Sequence, residues 1–224
     1  MTIHSRTILD QELANLKDNI IRLGSATDES IERAMAALKN RDVALANQVV
    51  LGDETINQLR FETEEKALLI LATQAPAATD LRTVIAAIHL AVELERIGDH
   101  ASGIARLVER MESEDEIDTL HKLPKMASRA RDMIRQGIDA FIQADPQLAL
   151  SLIKRDDKID RQYSKLFRES LEEMKDDDYI RRATFLLWVG HNLERIGDRA
   201  TNIAERVIFM CTGEFVETPT MLDE

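Results

Sequence analysis

The hexapeptide Leu94-Glu95-Arg96-Ile97-Gly98-Asp99 recurs letter for letter as Leu193-Glu194-Arg195-Ile196-Gly197-Asp198, 99 residues further along the chain. At the same offset Ala101 pairs with Ala200, Ile104 with Ile203, Ala105 with Ala204, Val108 with Val207 and Met111 with Met210. A self-match of this length at one period marks a duplicated structural unit. Whatever one half folds into, the other must fold into as well.

Upstream the offset becomes 103: Asp53-Glu54-Thr55-Ile56-Asn57 aligns with Asp156-Asp157-Lys158-Ile159-Asp160, and Asp42 with Asp145. Four residues are therefore missing from the second copy, where Ala75 to Thr79 faces Lys175 to Asp178. Length changes are tolerated in connections. A helix-to-helix turn is predicted there, with the length change confined to it.

A chain of 224 residues with only 8 Gly and 4 Pro, dominated by Ala, Leu, Ile, Glu, Arg and Asp, has the composition of long helices and not of sheet. Its net charge of −12 argues against general nucleic-acid binding, which needs a clustered basic surface, and suits cations or basic partners. Cys211 is the single cysteine, so no intramolecular disulfide forms and a reduced cytoplasm is the expected location. His4, Arg6, Asp10, Glu12, Lys17 and Asp18 interrupt the start of the chain where a signal peptide would be apolar. The apolar run Val84 to Val92, with His89 inside it, is far short of the roughly 20 residues of a membrane span, so no membrane insertion is expected.

Six helices are predicted, at 7–38, 43–73, 80–111, 122–143, 146–174 and 179–211. Asp42, Asp80 and Asp145 stand at N-cap positions, Pro146 follows at the first helical position, and Pro76 ends the second helix. Leu90, Leu94, Ile97, Ala101, Ile104 and Val108 recur at spacings of four and three, and the sixth helix repeats them as Val189, Leu193, Ile196, Ala200, Ile203 and Val207. That is a bundle seam. The expected fold class is all-α, two tandem three-helix bundles of about 45 Å helices. The expected domains are 1–113 and 114–213, joined through the acidic stretch Met111 to Leu123, with a mobile tail at 214–224.

Glu95 and Asp99 are one helical turn apart and flank the seam, about 100° and 140° round from Leu94. Like charges at this spacing repel by about 0.2 to 0.5 kcal/mol, and a cation reverses the sign. The pattern recurs as Glu194 with Asp198 and Asp156 with Asp160, with Asp53 and Asn57 as a weaker version. Oxygen donors of this kind suit hard or borderline cations such as Mg²⁺, Mn²⁺, iron or Zn²⁺. Gly98 and Gly197 allow a neighbouring helix to come close. The competing reading is a solvated face in which Arg96 and Arg195 form ordinary ion pairs. His89, His100, His121 and His191 have no matching partners across the repeat and read as packing or surface residues. No Glu-x-x-His signature, Walker A loop, nucleophile elbow or His-Glu-x-x-His helix is present, so no catalytic residues are expected.

These two Leu-Glu-Arg-Ile-Gly-Asp helices, each followed by Ala-x-x-Ile-Ala, resemble the PhoU family, as do Pro76 to Arg82 before the third helix and Gly213 after the sixth. The resemblance spans residues 5 to 215. It implies two three-helix bundles related by a pseudo-twofold, with metal clusters on Glu95, Asp99, Glu194, Asp198, Asp53, Asn57, Asp156 and Asp160. Asn57 departs from the carboxylate pattern, which implies fewer or looser ions there. The resemblance further implies a cytoplasmic, dimeric, non-enzymatic adaptor. It would act between the ATPase subunit of a phosphate ABC transporter and a phosphate-sensing histidine kinase, damping uptake and starvation-gene expression. Two other classes fit the residues alone: a carboxylate-bridged metal store or metalloenzyme on a helical bundle, and a helical scaffold with no metal dependence.

Overall fold

The computed structural model describes residues 3–111, 120 and 122–216. The acidic stretch 112–119, His121 and the tail beyond Val216 lie outside the described residues. The helices are α1 (Ile3–Asn40), α2 (Val43–Gln74), α3 (Ala78–Arg110), α4 (Leu123–Gln143), α5 (Pro146–Glu173) and α6 (Ile180–Thr212). One turn of 3-10 helix, Asp177–Tyr179, leads into α6, and no strand occurs among the described residues.

The helix ends follow local chemistry. Asp42 accepts the Leu45 N–H at 2.9 Å, and Asp145 accepts those of Gln147 and Leu148 at 2.8 and 3.0 Å, with Pro146 directly after it. Gly213 closes α6 at φ 80°, donating its N–H to the Phe209 carbonyl. Asp80, by contrast, is not a cap. Ala75 turns into the left-handed region ahead of Pro76, the chain reverses within three residues, and α3 starts at Ala78 with Ala77 as an N-cap lacking a side-chain bond. Asp80 falls in the first turn instead, where it accepts from Arg6 at 2.5 Å and ties α1 to α3. A carboxylate there still favours the helix N-terminus.

The four-residue difference between the halves is not in the turn either. Three residues, 75–77, lead from α2 to α3 and three, 174–176, from α5 to the 3-10 turn, whereas α2 has 32 residues and α5 has 28. About one turn has been lost from the end of α5. At a helix end no later side chain depends on that turn for its phase, so the loss leaves the buried face intact.

Every seam position expected from spacing is buried: the six of α3 are at most 2% exposed and the six of α6 are all at 0%. α1, α2 and α3 pack together, as do α4, α5 and α6, and α3 lies against α6 at the centre. The contacts across that centre come in exchanged pairs. Arg199 reaches Glu93 at 3.4 Å and His100 Nδ1 meets Asn192 Oδ1 at 3.1 Å; by the 99-residue offset, each pair is the other with its members swapped. Asn202 donates to Glu93 at 3.3 Å, and its counterpart Gly103 lies beside Asn192. Residue numbers rise along α3 as their partners' fall along α6, so the two helices run antiparallel. An isologous contact of this kind is the mark of a twofold, here within one chain.

Candidate metal centre

In the second half α5 carries Asp156 and Asp160 and α6 carries Glu194 and Asp198. Ile159 and Ile196, both fully buried, belong to the core beneath these faces. Gly197 lets them meet: a Cβ there would stand 2.9 Å from Asp156 Oδ1 and 3.1 Å from Ile159 Cδ1. Asp156, Asp160 and Asp198 each bring a carboxylate oxygen within 4.8 Å of the other two, the one such grouping of potential ligands among the described residues.

The electrostatics show how costly this proximity is without a cation. Burial, then the charge of Asp160, pushes Asp156 up to about 7, although Thr201 donates a hydrogen bond to its Oδ2 at 3.0 Å. Burial and the charge of Asp198 push Glu194 up to about 7 as well. Asp160 and Asp198 are raised by burial, with Arg195 and Arg199 opposing the shift at Asp198. Asp156 Oδ1, Asp160 Oδ1 and Glu194 Oε2 are buried atoms with no hydrogen-bond partner. Buried anionic oxygens without partners are unfavourable, and protons or a cation relieve them. The donor set fits a hard or borderline ion that bridges α5 and α6.

The first half does not repeat this arrangement. Asp53, Glu95 and Asp99 do influence one another: burial and Asp99 raise both Asp53 and Glu95. However, Asn57 stands in place of Asp160, and Arg60 stands in place of Tyr163. Arg60 binds Glu64 at 2.8 Å and approaches Glu95 at 3.7 Å, with all three side chains largely buried. Arg106, whose counterpart is Glu205, offsets the charge of Asp53. Guanidinium groups supply the positive charge here, and the residues do not fit a multiply charged ion as the second half does.

Of the eight positions expected from sequence, only Asp156, Asp160 and Asp198 gather as potential ligands among the described residues, and Thr201 and His191 stand beside them. The offset of 99 aligns Thr201 with Ser102, hydroxyls three residues past each motif aspartate, and that was the available signal. His191 was read as packing or surface; its Nδ1 lies 3.4 Å from Glu194 at the rim of the cluster. The ion-pair reading holds in part, because Arg195 binds Asp198 at 2.7 Å while Arg96 is exposed.

The PhoU domain family profile matches this chain twice, at residues 20–108 and 123–207. A phosphate-specific transport system accessory protein PhoU homolog of Clostridium acetobutylicum is 33% identical over 95% of this chain and 98% of its own length, and that of Caulobacter vibrioides is 37% identical over 96% and 94%. The crystal structure of PhoU from Pseudomonas aeruginosa superposes with a TM-score of 0.86 at 35% identity, covering 92% of this chain and 99% of its own. The phosphate transport system regulatory protein PhoU from Streptococcus pneumoniae gives 0.88 at 32% over 94% and 100%. These relatives are named as accessory and regulatory proteins, not as enzymes. On two family matches, near-complete coverage and a shared fold, the chain belongs to the PhoU family.

Proposed function

We propose that this protein is a negative regulator of phosphate uptake and of phosphate-starvation genes, a cytoplasmic homodimeric adaptor between the ATPase subunit of a phosphate ABC transporter and a phosphate-sensing histidine kinase. The names of its relatives support the transport role. No described helix is long and apolar enough to cross a membrane, which suits an adaptor that docks on membrane proteins. The exposed Leu51, Phe61, Leu68 and Leu69 of α2 offer apolar surface for such partners. Deleting the gene tests the role. Starvation genes should be derepressed in plentiful phosphate; repression that persists with normal uptake refutes it.

The same reading assigns a Mg²⁺, Mn²⁺, iron or Zn²⁺ ion to the second half. One observation carries this part: the three buried carboxylate oxygens of Asp156, Asp160 and Glu194 that accept no hydrogen bond. Asp156, Asp160, Glu194 and Asp198 would hold the ion, which would supply charge neutralisation and a link between α5 and α6. Protein purified without chelator should carry metal, and Asp156→Asn with Asp198→Asn should lose it. Metal-free protein that melts identically with every cation tested overturns the assignment.

A further inference from the structure

We propose that the groove between α4 and α5 binds a condensed phosphate, a ligand carrying several phosphate groups in one molecule, by means of a row of cations that the first half of the repeat lacks. This site is independent of the carboxylate cluster.

The chain is acidic overall, yet two adjoining open cavities of about 200 and 370 Å³ between α4 and α5 are lined mainly by positive side chains, with Asp132, Met133 and Gln162 the exceptions. Lys122, Lys125 and Arg129 come from the α4 side, and Arg155, Lys158, Arg161 and Lys165 from α5. Glu169, bound to Lys122 and 3.8 Å from Lys165, tempers one end, and Asp132 lines the other. Among the described residues Lys125, Arg155 and Lys158 are exposed at the lining without an ion-pair partner, and Arg129 is held in place by Gln162.

The repeat shows that folding does not require these charges. By the 103-residue offset, Arg155, Lys158, Arg161 and Lys165 answer to Gly52, Thr55, Gln58 and Glu62 on α2. The same scaffold thus forms without them. Lys158, Arg161 and Lys165 are three and four residues apart, where like charges repel. A bound polyanion reverses that repulsion.

The shape and lining select the anion. From Arg155 to Lys165 the row extends about 15 Å along the helix, longer than a single phosphate ion needs. No aromatic side chain lines it, so nucleobases find nothing to stack on. The single apolar side chain in the lining, Met133, is buried, which leaves an acidic peptide no anchor pocket. Arginine forks and lysine point charges are the usual recognition elements for phosphate oxygens.

The test is calorimetric titration of the full chain with tripolyphosphate, with EDTA present so that no cation bridges the two. Tripolyphosphate should bind far more tightly than orthophosphate, and the affinity should fall at least about tenfold between 50 and 200 mM salt. The variant Lys158→Thr, Arg161→Gln, Lys165→Glu places the first half's residues on α5; it should keep the circular dichroism of the wild type and bind at least about tenfold more weakly. Arg129→Gln, on the opposite wall, should weaken binding independently. Titration with ATP separates the sources: equal affinity extends the ligand to nucleotide tails, and weaker binding restricts it to inorganic chains. Absent tripolyphosphate binding, affinity unchanged in both variants, or equal affinity for an oligoglutamate of the same charge overturns the proposal.

Discussion

If Arg60 and Asn57 are what keep the first half from loading metal, replacing them with their counterparts should open it. The variant is Asn57→Asp with Arg60→Tyr, which gives α2 the Asp160 and Tyr163 of α5. Without metal it should be less stable. Arg60 loses an ion pair at 2.8 Å with Glu64 and an approach of 3.7 Å to Glu95, among side chains 19 to 26% exposed. Each pair contributes about 1 kcal/mol or less, and the new carboxylate adds repulsion with Asp53. A loss of about 2 kcal/mol is expected, or about 4–8 °C in melting temperature for a chain of this size.

Metal should then more than restore it. A cation at a hundredfold excess over Kd adds about 2.7 kcal/mol if it binds only the folded state. The variant should therefore melt lower than wild type in chelator and draw level or pass it in saturating Mn²⁺. Metal analysis after gel filtration gives the second readout, with more ions per chain than wild type. Placing the change on an Asp156→Asn, Asp198→Asn background isolates the first half. A double-asparagine background that already binds as many ions as wild type refutes the assignment of metal to the second half. An opened variant that gains neither ions nor a metal-dependent shift refutes the role given to Arg60 and Asn57.

Asp156 and Glu194 titrate near 7 in the folded state against 3.8 and 4.5 when unperturbed, so the stability they contribute is full below about pH 4 and is lost as pH rises to about 7. Chelated protein should melt lower at pH 7.5 than at pH 5, by about 3–6 °C, and Asp156→Asn should flatten that slope. Added cation should stabilise the protein at pH 7.5 and hardly at pH 5, because protons compete for the same oxygens. Gly197→Ala should cost about tenfold in metal affinity by driving a methyl against Asp156, 2.9 Å away. Gly98→Ala, whose methyl meets Ile56 Cδ1 and Cγ2 at 2.9 and 3.1 Å, should alter stability and leave metal content unchanged.

The helical fold was legible because its signals are local. The spacing of Leu90, Leu94, Ile97 and Ala101 fixes a buried stripe whatever it packs against, and Asp42 and Asp145 cap from their own turn. The carboxylate pairs were legible for the same reason, since an i, i+4 relation is settled within one helix. What the sequence hid depends on two helices meeting. Arg60 lies three residues past Asn57, and only the packing of α2 on α3 brings it to Glu95. The cationic groove is invisible in a net charge of −12, because its two walls are about thirty residues apart in the chain. Asp80 reads as a cap in the sequence because the left-handed turn at Ala75, which reverses the chain within three residues and starts α3 at Ala78, leaves no mark in an alanine.

The two halves share their buried positions and differ in their charges, and energetics explain why. A buried seam residue is fixed by volume, since a one-methylene misfit is felt in a close-packed interior; Leu94 with Leu193 and Ile97 with Ile196 are accordingly identical. A partly exposed ion pair contributes about 1 kcal/mol or less, so its partners can change at little cost to the fold. Even on the pseudo-twofold axis this freedom shows. Glu93 with Arg199 is an ion pair, whereas its exchanged counterpart, Asn192 with His100, is a neutral hydrogen bond at neutral pH, because burial holds His100 below its ordinary range. The duplication thus made two equal sockets of apolar contacts. The charges then set them apart: one closed by its own arginine, the other with carboxylate oxygens still unmatched, and a cationic groove built beside the second alone.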